Sequence, residues 1–236
     1  MQDATGESLR RPHARMRSRA AIDLAITIAF FIACFAVEPI LDPIFRHGRG
    51  LGFVLAMSAY QFTLEGLMPL AIILVRREHL SDYGITNKNI VRSLLFALLL
   101  AAGYDLIVSL YAGTTMWVPM RRQPALRMSL AAGFPMSVLG IATIISVWGM
   151  IEGLFGVYFS RKLSQALGHS GRGWLAPGVV GFAVFNGIVH VGVRQGLRGF
   201  VTSFASGYAI AVISALTGNA WGSALFQALT DAVGGL

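Results

Sequence analysis

The sequence predicts an all-α polytopic transmembrane bundle of about seven spans. Three observations carry this. The mean hydropathy is +0.65. Of 236 residues, 55% are hydrophobic and 13% charged, where soluble domains carry about 25% charge. Several apolar runs reach the roughly 20 residues needed to cross a bilayer. The runs are continuous rather than alternating, which argues against a β-barrel.

Taken in order, residues 1–19 read as a disordered basic tail with Arg10, Arg11, Arg15, Arg17 and Arg19. The first span, 21–41, follows it as in a signal peptide. It is too long for a signal h-region and has no small-residue cleavage site before Glu38, so it reads as a retained anchor. Spans at 51–75 and 93–113 come next. Segment 114–132 has Trp117 and three arginines (Arg121, Arg122, Arg127) and reads as an ambiguous, interfacial piece. A fourth span covers 134–159. The fifth, 177–199, opens on Pro177, a favoured first-turn residue. Spans at 200–217 and 219–235 complete the chain. Residues 20–236 are thus expected to be a single transmembrane domain behind the tail.

A net charge of +8 suggests nucleic acid at first sight. Its placement does not: seventeen of the nineteen basic residues are Arg, and most lie between apolar runs. That pattern fits topology determinants and contacts with lipid headgroups. The expected partners are therefore membrane lipids, with no nucleic acid. One side collects the five tail arginines with Arg76, Arg77, Lys88, Arg92, Arg161, Lys162 and Arg172, twelve in all. The other collects Arg46, Arg49, Arg121, Arg122, Arg127, Arg194 and Arg198, seven in all. This predicts a cytoplasmic N-terminus and an external C-terminus. Cys34 is the only cysteine, which excludes an intrachain disulfide and a Cys-ligated metal site.

The most informative residue is Glu152, the one carboxylate in the apolar run from Phe134 to Phe159. A charge inside hydrocarbon costs at least ~2.5–3.5 kcal/mol on insertion scales, so it faces a protein interior or a watery cavity. The fifth span carries Asn186, His190 and Arg194 at i, i+4 and i+8, one stripe along a helix face. The seventh carries Gln227 and Asp231, also i and i+4. Polar positions on three spans point to one buried site. At 1.5 Å per residue, Glu152 and Gln227 lie ~12 Å and His190 ~20 Å from their cytoplasmic ends. The plainer alternative is structural: a histidine bonded to Asn186 or a backbone carbonyl, and a neutral Glu bridging helices. Glu65 and Asp105 are weaker mid-span candidates. Asp23, Glu38 and Arg194 fall near span ends and are expected to snorkel or pair at the interface.

At these residues the chain resembles the CPBP family (CAAX proteases and bacteriocin-processing enzymes, also called Abi proteins), which are intramembrane endopeptidases. The similarity covers roughly Met150 to Gly234, within a family-like core of about 134–236. The family order is a helix with Glu-Glu-x-x-x-Arg, a helix with Phe-x-x-x-His, and a last helix with His-x-x-x-Asn or Asp after a Thr-Gly-Asn/Ser-x-Trp turn. TGNAWGSALFQALTDAV, Thr217 to Val233, is similar to that turn and last helix. RREHLSDYGIT, Arg76 to Thr86, is similar to the family's loop leading into its core helices. Other letters differ. Aligning IEGLFGVYF on the first motif sets Ile151 at the first Glu, Glu152 at the second and Gly156 at the Arg, with Phe155 keeping the aromatic. A second register takes Glu152 as the first Glu and sets Gly153 and Val157 at the other two positions. Asn186 stands at the Phe, His190 keeps the histidine, Gln227 stands at the second histidine, and Asp231 fits Asn/Asp.

The resemblance implies peptide-bond hydrolysis at the membrane by an activated water. Glu152 would be the base and His190 its partner, with Gln227 and Asp231 polarising the carbonyl. Asn186 and Phe155 would contact a hydrophobic peptide or membrane-protein substrate. The other function class is a non-catalytic relative that binds a hydrophobic peptide, a lipid or a partner helix in the same cavity; the replaced letters favour it. Glu152, His190 and Asp231 are ligand types that zinc takes. No pair has a helical ligand spacing such as His-x-x-x-His, so no metal site is assigned. The cofactor stays open, a divalent metal being the one candidate. The expected location is a prokaryotic cell membrane.

Overall fold

The computed structural model describes residues 4–47, 49–111, 124–191 and 196–233. Among these, side chains of 4–15, Glu38, 42–47, Val108, Tyr111, Pro124 and 231–233 lie outside the description. The described residues are all helix and turn, with no strand. In chain order the helices are α1 (Ala4–His47), α2 (Gly50–Arg76), α3 (Ile90–Tyr111), α4 (Pro124–Ala131), α5 (Met136–Ala166), α6 (Pro177–His190), α7 (Gly196–Thr217) and α8 (Trp221–Val233). Residues 4–19, read from the sequence as a disordered tail, are instead the first turns of α1, continuous with its apolar stretch.

Five of them are long and apolar enough to cross a membrane: Met16–Leu41 within α1, Gly50–Arg76, Ile90–Ile107 within α3, Met136–Ala166 and Gly196–Thr217. They are compatible with an integral membrane protein. The other two expected spans are short. α6 has 14 residues and α8 has 13, about 21 Å and 20 Å at 1.5 Å per residue. The hydrocarbon core is about 30 Å thick, and apolar helices of this length are typically core helices. Both are wrapped by neighbours: α6 packs on α7 and α5, and α8 on α3, α5 and α7. Hydropathy alone does not separate a short core helix from a span, which is why seven were expected. Of segment 114–132, residues 114–123, with Trp117, Arg121 and Arg122, lie outside the described residues, and the rest opens with α4. Ala125, Leu126 and Ser129 of α4 are buried while Arg127 is exposed.

Two helices widen into π turns. In α2 the turn spans Phe62–Leu67. Pro69 supplies the cause. It has no N–H for the Glu65 carbonyl four residues back, and its ring crowds that carbonyl, so the helix opens rather than breaks. In α5 the π turn spans Ile144–Ile151 and ends at the residue before Glu152. Such turns occur often at functional positions.

A close helix approach joins α5 and α8. Gly149 and Gly153 of α5 face Ala228 and Ala224 of α8. A Cβ at Gly153 would lie 2.7 Å from the Ala224 Cα, and one at Gly149 would strike Ala228 as well. Small residues four apart on both helices let backbones meet without a side-chain layer between them. This contact sets Glu152 beside Gln227.

One end of the bundle gathers the start of α1, the 77–89 segment, the 167–176 segment and the 218–220 turn. Asn219, fully buried, donates to the carbonyls of Thr86 at 2.6 Å and Lys88 at 2.9 Å. Ala220 N–H donates to the Gly84 carbonyl at 2.8 Å, and Ser93 Oγ donates to the Asn219 carbonyl at 3.1 Å. The two stretches singled out above, Arg76–Thr86 and Thr217–Val233, are thereby docked on each other.

Candidate functional site

A cavity of about 190 Å³ opens between α1, α2, α5 and α6. Its polar lining is Gln61 and Glu65 from α2, Glu152 from α5, and Asn186 and His190 from α6. Its apolar lining includes Phe31 and Phe35 from α1, Phe155 from α5, and Phe182 and Phe185 from α6. These rings pack on one another: Phe31 meets Phe185 edge-on at 5.3 Å between centroids, and Phe155 meets Phe182 edge-on at 6.1 Å. Edge-to-face pairs of this kind hold ring orientation as well as area.

Glu152 sits where the π turn of α5 ends. Gln61 Nε2 donates to Glu152 Oε2 at 3.0 Å, and the Gln227 amide also hydrogen-bonds the carboxylate. Two amides from two other helices therefore fix its orientation. One turn earlier, Trp148 Nε1 donates to Ser58 Oγ at 2.9 Å, so α2 and α5 share a short polar ladder. Helix α5 runs to Ala166, seven residues beyond the span end drawn from the sequence. This lowers Glu152 to ~21 Å from that end, level with His190 at ~20 Å in α6. Gln227 is shallower in its own helix, and α8 starts from the buried turn at Asn219, already inside the bundle.

His190 Nδ1 lies 2.9 Å from the Asn186 carbonyl one turn earlier. A proton on Nδ1 makes that hydrogen bond and leaves Nε2 as the basic nitrogen. The Asn186 amide nitrogen donates to the Ser203 carbonyl at 2.9 Å and to Ser206 Oγ at 3.5 Å, which ties α6 to α7. Asn186 thus lines the cavity while its amide nitrogen is engaged across the helix pair. Asp231 is one turn beyond Gln227 on α8, and its side chain lies outside the described residues, as does Arg194. Asp105 is buried in α3 and is not part of this lining. Among the described residues no group of three His, Cys, Asp or Glu could hold a metal ion.

Glu65 stands with Glu152 on the cavity wall, which the sequence ranked only as a weak candidate. Its signal was the Pro69 four residues on, a device that widens a helix at the carboxylate. Gln61 had no signal at all, being one amide in a span. The packing motif was legible but unused: GMIEG and ALFQA each bracket a polar residue with small residues four apart.

A second polar group lies at the basic end. Asp23, 1% exposed, accepts from Arg76 at 2.8 Å and from Lys162 Nζ at 2.8 Å. Lys162, also 1% exposed, reaches Glu78 at 2.7 Å and stands 5.9 Å and 5.8 Å above the ring centroids of Tyr83 and Tyr158. Tyr83 donates to Glu78. Burial first, and then that bond to Glu78, push the Tyr83 phenol above its ordinary range, so it remains a donor. Asp23 was expected to snorkel or pair; it pairs, and inside the protein. The Glu38 side chain is outside the described residues. This cluster is fully matched in charge and joins α1, α2 and α5.

Comparison with family models, with curated proteins and with solved structures finds no match. The site's chemistry therefore rests on its geometry and on the motif resemblance.

Proposed function

We propose that the chain is a CPBP-like intramembrane endopeptidase, hydrolysing a peptide bond of a hydrophobic membrane segment with a water activated by Glu152 and His190. The observation that carries this reading is the shared wall: Glu65, Glu152 and His190, from three helices, line one aromatic-walled cavity. An apolar segment would place its side chains among Phe31, Phe155 and Phe185, and its scissile carbonyl over the polar wall. Glu152 would take a proton from the water as its oxygen attacks the carbonyl carbon. The C–N bond then breaks, and the proton passes to the leaving amine. His190 Nε2 would orient the water and assist that transfer.

Glu65 takes, in this proposal, the place of the family's first carboxylate, supplied from α2 because Ile151 stands at that position of α5. Gln227, bonded to Glu152, acts as a positioning residue; the oxyanion role given to it by sequence would use the second N–H of the same amide. Asp231 keeps its sequence-assigned role one turn further along α8. The proposed setting is a prokaryotic cell membrane with the basic end cytoplasmic, following the positive-inside rule.

One observation favours the second reading, a non-catalytic binder of a hydrophobic peptide, lipid or partner helix. Two amides satisfy Glu152 without any ligand, as a structural carboxyl would require. Isotope labelling separates the two. The purified chain in vesicles is incubated with hydrophobic membrane peptides in ¹⁸O-water. Hydrolysis puts ¹⁸O in the new C-terminal carboxyl group, read by mass spectrometry, and His190→Ala abolishes it. Peptide retention without new termini supports the binder.

A further inference from the structure

A second cavity, larger than the one above, lies elsewhere, at the basic end. It has a volume of about 460 Å³, inside the range of small-ligand pockets. Three cations line it: Lys88 before α3, Arg161 near the end of α5, and Arg172 in the segment between α5 and α6. Ser81, Gln165 and Ser170 add neutral polar groups, and no carboxylate is part of the lining. Arg161 and Arg172 are within electrostatic reach of each other, which is unfavourable without an anion between them. Arg161 is held by a bond to the Asp82 carbonyl, and Asp82 is the carboxylate that faces it. Lys88 and Arg172 have no carboxylate partner among the described residues. By contrast, Lys162 and Arg76, a few residues away in sequence, are paired with Asp23. Matching was thus available to this end of the bundle, yet Lys88 and Arg172 are left without it among the described residues.

The cavity's position points to the source of its anion. Its walls are the terminal residues of two membrane-length helices, α5 and α7, and the residues leading into a third, α3. Leu216, itself part of the wall, is 40% exposed, and Trp174, two residues past Arg172, is 60% exposed. Apolar side chains and an exposed Trp beside a basic pocket are the signature of the headgroup level of a bilayer. We propose that this cavity binds the phosphate-bearing headgroup of an anionic membrane lipid. The site is independent of the proposed hydrolytic cavity.

The test uses the full chain in zwitterionic phosphatidylcholine nanodiscs, titrated with phosphatidylglycerol and read by native mass spectrometry. Removing two cations, Lys88→Gln with Arg172→Gln, is expected to weaken phosphatidylglycerol retention roughly 30-fold. Arg49→Gln with Arg127→Gln removes the same charge from exposed positions at the other end and should leave retention unchanged. Lys88→Arg with Arg172→Lys keeps the charge and should restore it, which separates lost binding from lost folding. Glycerol 3-phosphate and inorganic phosphate are the soluble arm. Equal loss in both double variants, or none in either, overturns the site. A soluble phosphate that protects the chain against thermal unfolding where phosphatidylglycerol does not would overturn the lipid assignment.

Discussion

Glu152 is held as few carboxylates in apolar helices are, by one amide from α2 and one from α8. That arrangement makes Gln61 testable. Gln61→Leu removes one donor from a half-buried carboxylate, and such losses typically cost about 1–3 kcal/mol. The thermal midpoint in detergent should fall, whereas Gln61→Glu should fall further by like charge. An unchanged midpoint for Gln61→Leu would mean that the bond holds nothing. Lys162 allows a sharper prediction. Lys162→Met leaves Glu78 without its cation and Asp23 with Arg76 alone, and breaking a buried pair costs about 3–5 kcal/mol. Full-length expression with a wild-type midpoint would contradict the buried network. At this scale the sequence was half legible. Glu152 and His190 stood out because ionisable groups in apolar runs are rare. Lys162, Asp23 and Glu78 did not, because each falls near a span end, where a charge is ordinary. Only the fold shows that these three meet.

The helices α5 and α8 meet through Gly149, Gly153, Ala224 and Ala228, and their contact sets the distance between Glu152 and Gln227. Gly153→Val puts a branched side chain against the α8 backbone, with overpacking costs typically about 1–3 kcal/mol. The variant should lose thermal stability and any activity together, whereas Val138→Ala, at an exposed position of α5, should lose neither. Survival of both would show that the backbones are not in close contact. The two short helices mark where sequence reading stopped. Residues 177–199 and 219–235 were read as spans, while the described helices within them are 14 and 13 residues long. α8 begins just after the hydrogen-bonded turn at Asn219. What occupies the space is tertiary packing, and a hydropathy window cannot see either. Conversely, the docking of Arg76–Thr86 against Thr217–Trp221 was hinted at, since both stretches carried the family resemblance.

Across the whole molecule, the basic ends of α2 and α5 meet the start of α1 at one end. Asp23 near the start of α1 meets Arg76 at the end of α2 and Lys162 at the end of α5, so these helix ends share a side. The proposed orientation, with that side cytoplasmic by the positive-inside rule, is open to a labelling test. In a Cys34→Ser background, Ser170→Cys and Ser81→Cys should resist membrane-impermeant maleimide added outside intact cells, while Ser137→Cys at the other end should react. The reverse pattern would invert the orientation.

The proposed hydrolysis makes Glu152 the base of the site rather than a strut between helices. Its most direct test is Glu152→Gln, measured as turnover of a membrane-peptide substrate and, on the same sample, as thermal midpoint. The amide is nearly isosteric and can still hydrogen-bond Gln61 and Gln227, so folding should be retained. Without a proton acceptor, cleavage should fall by about 10²–10⁴-fold. Cleavage at the wild-type rate by a folded Glu152→Gln chain would contradict the claim.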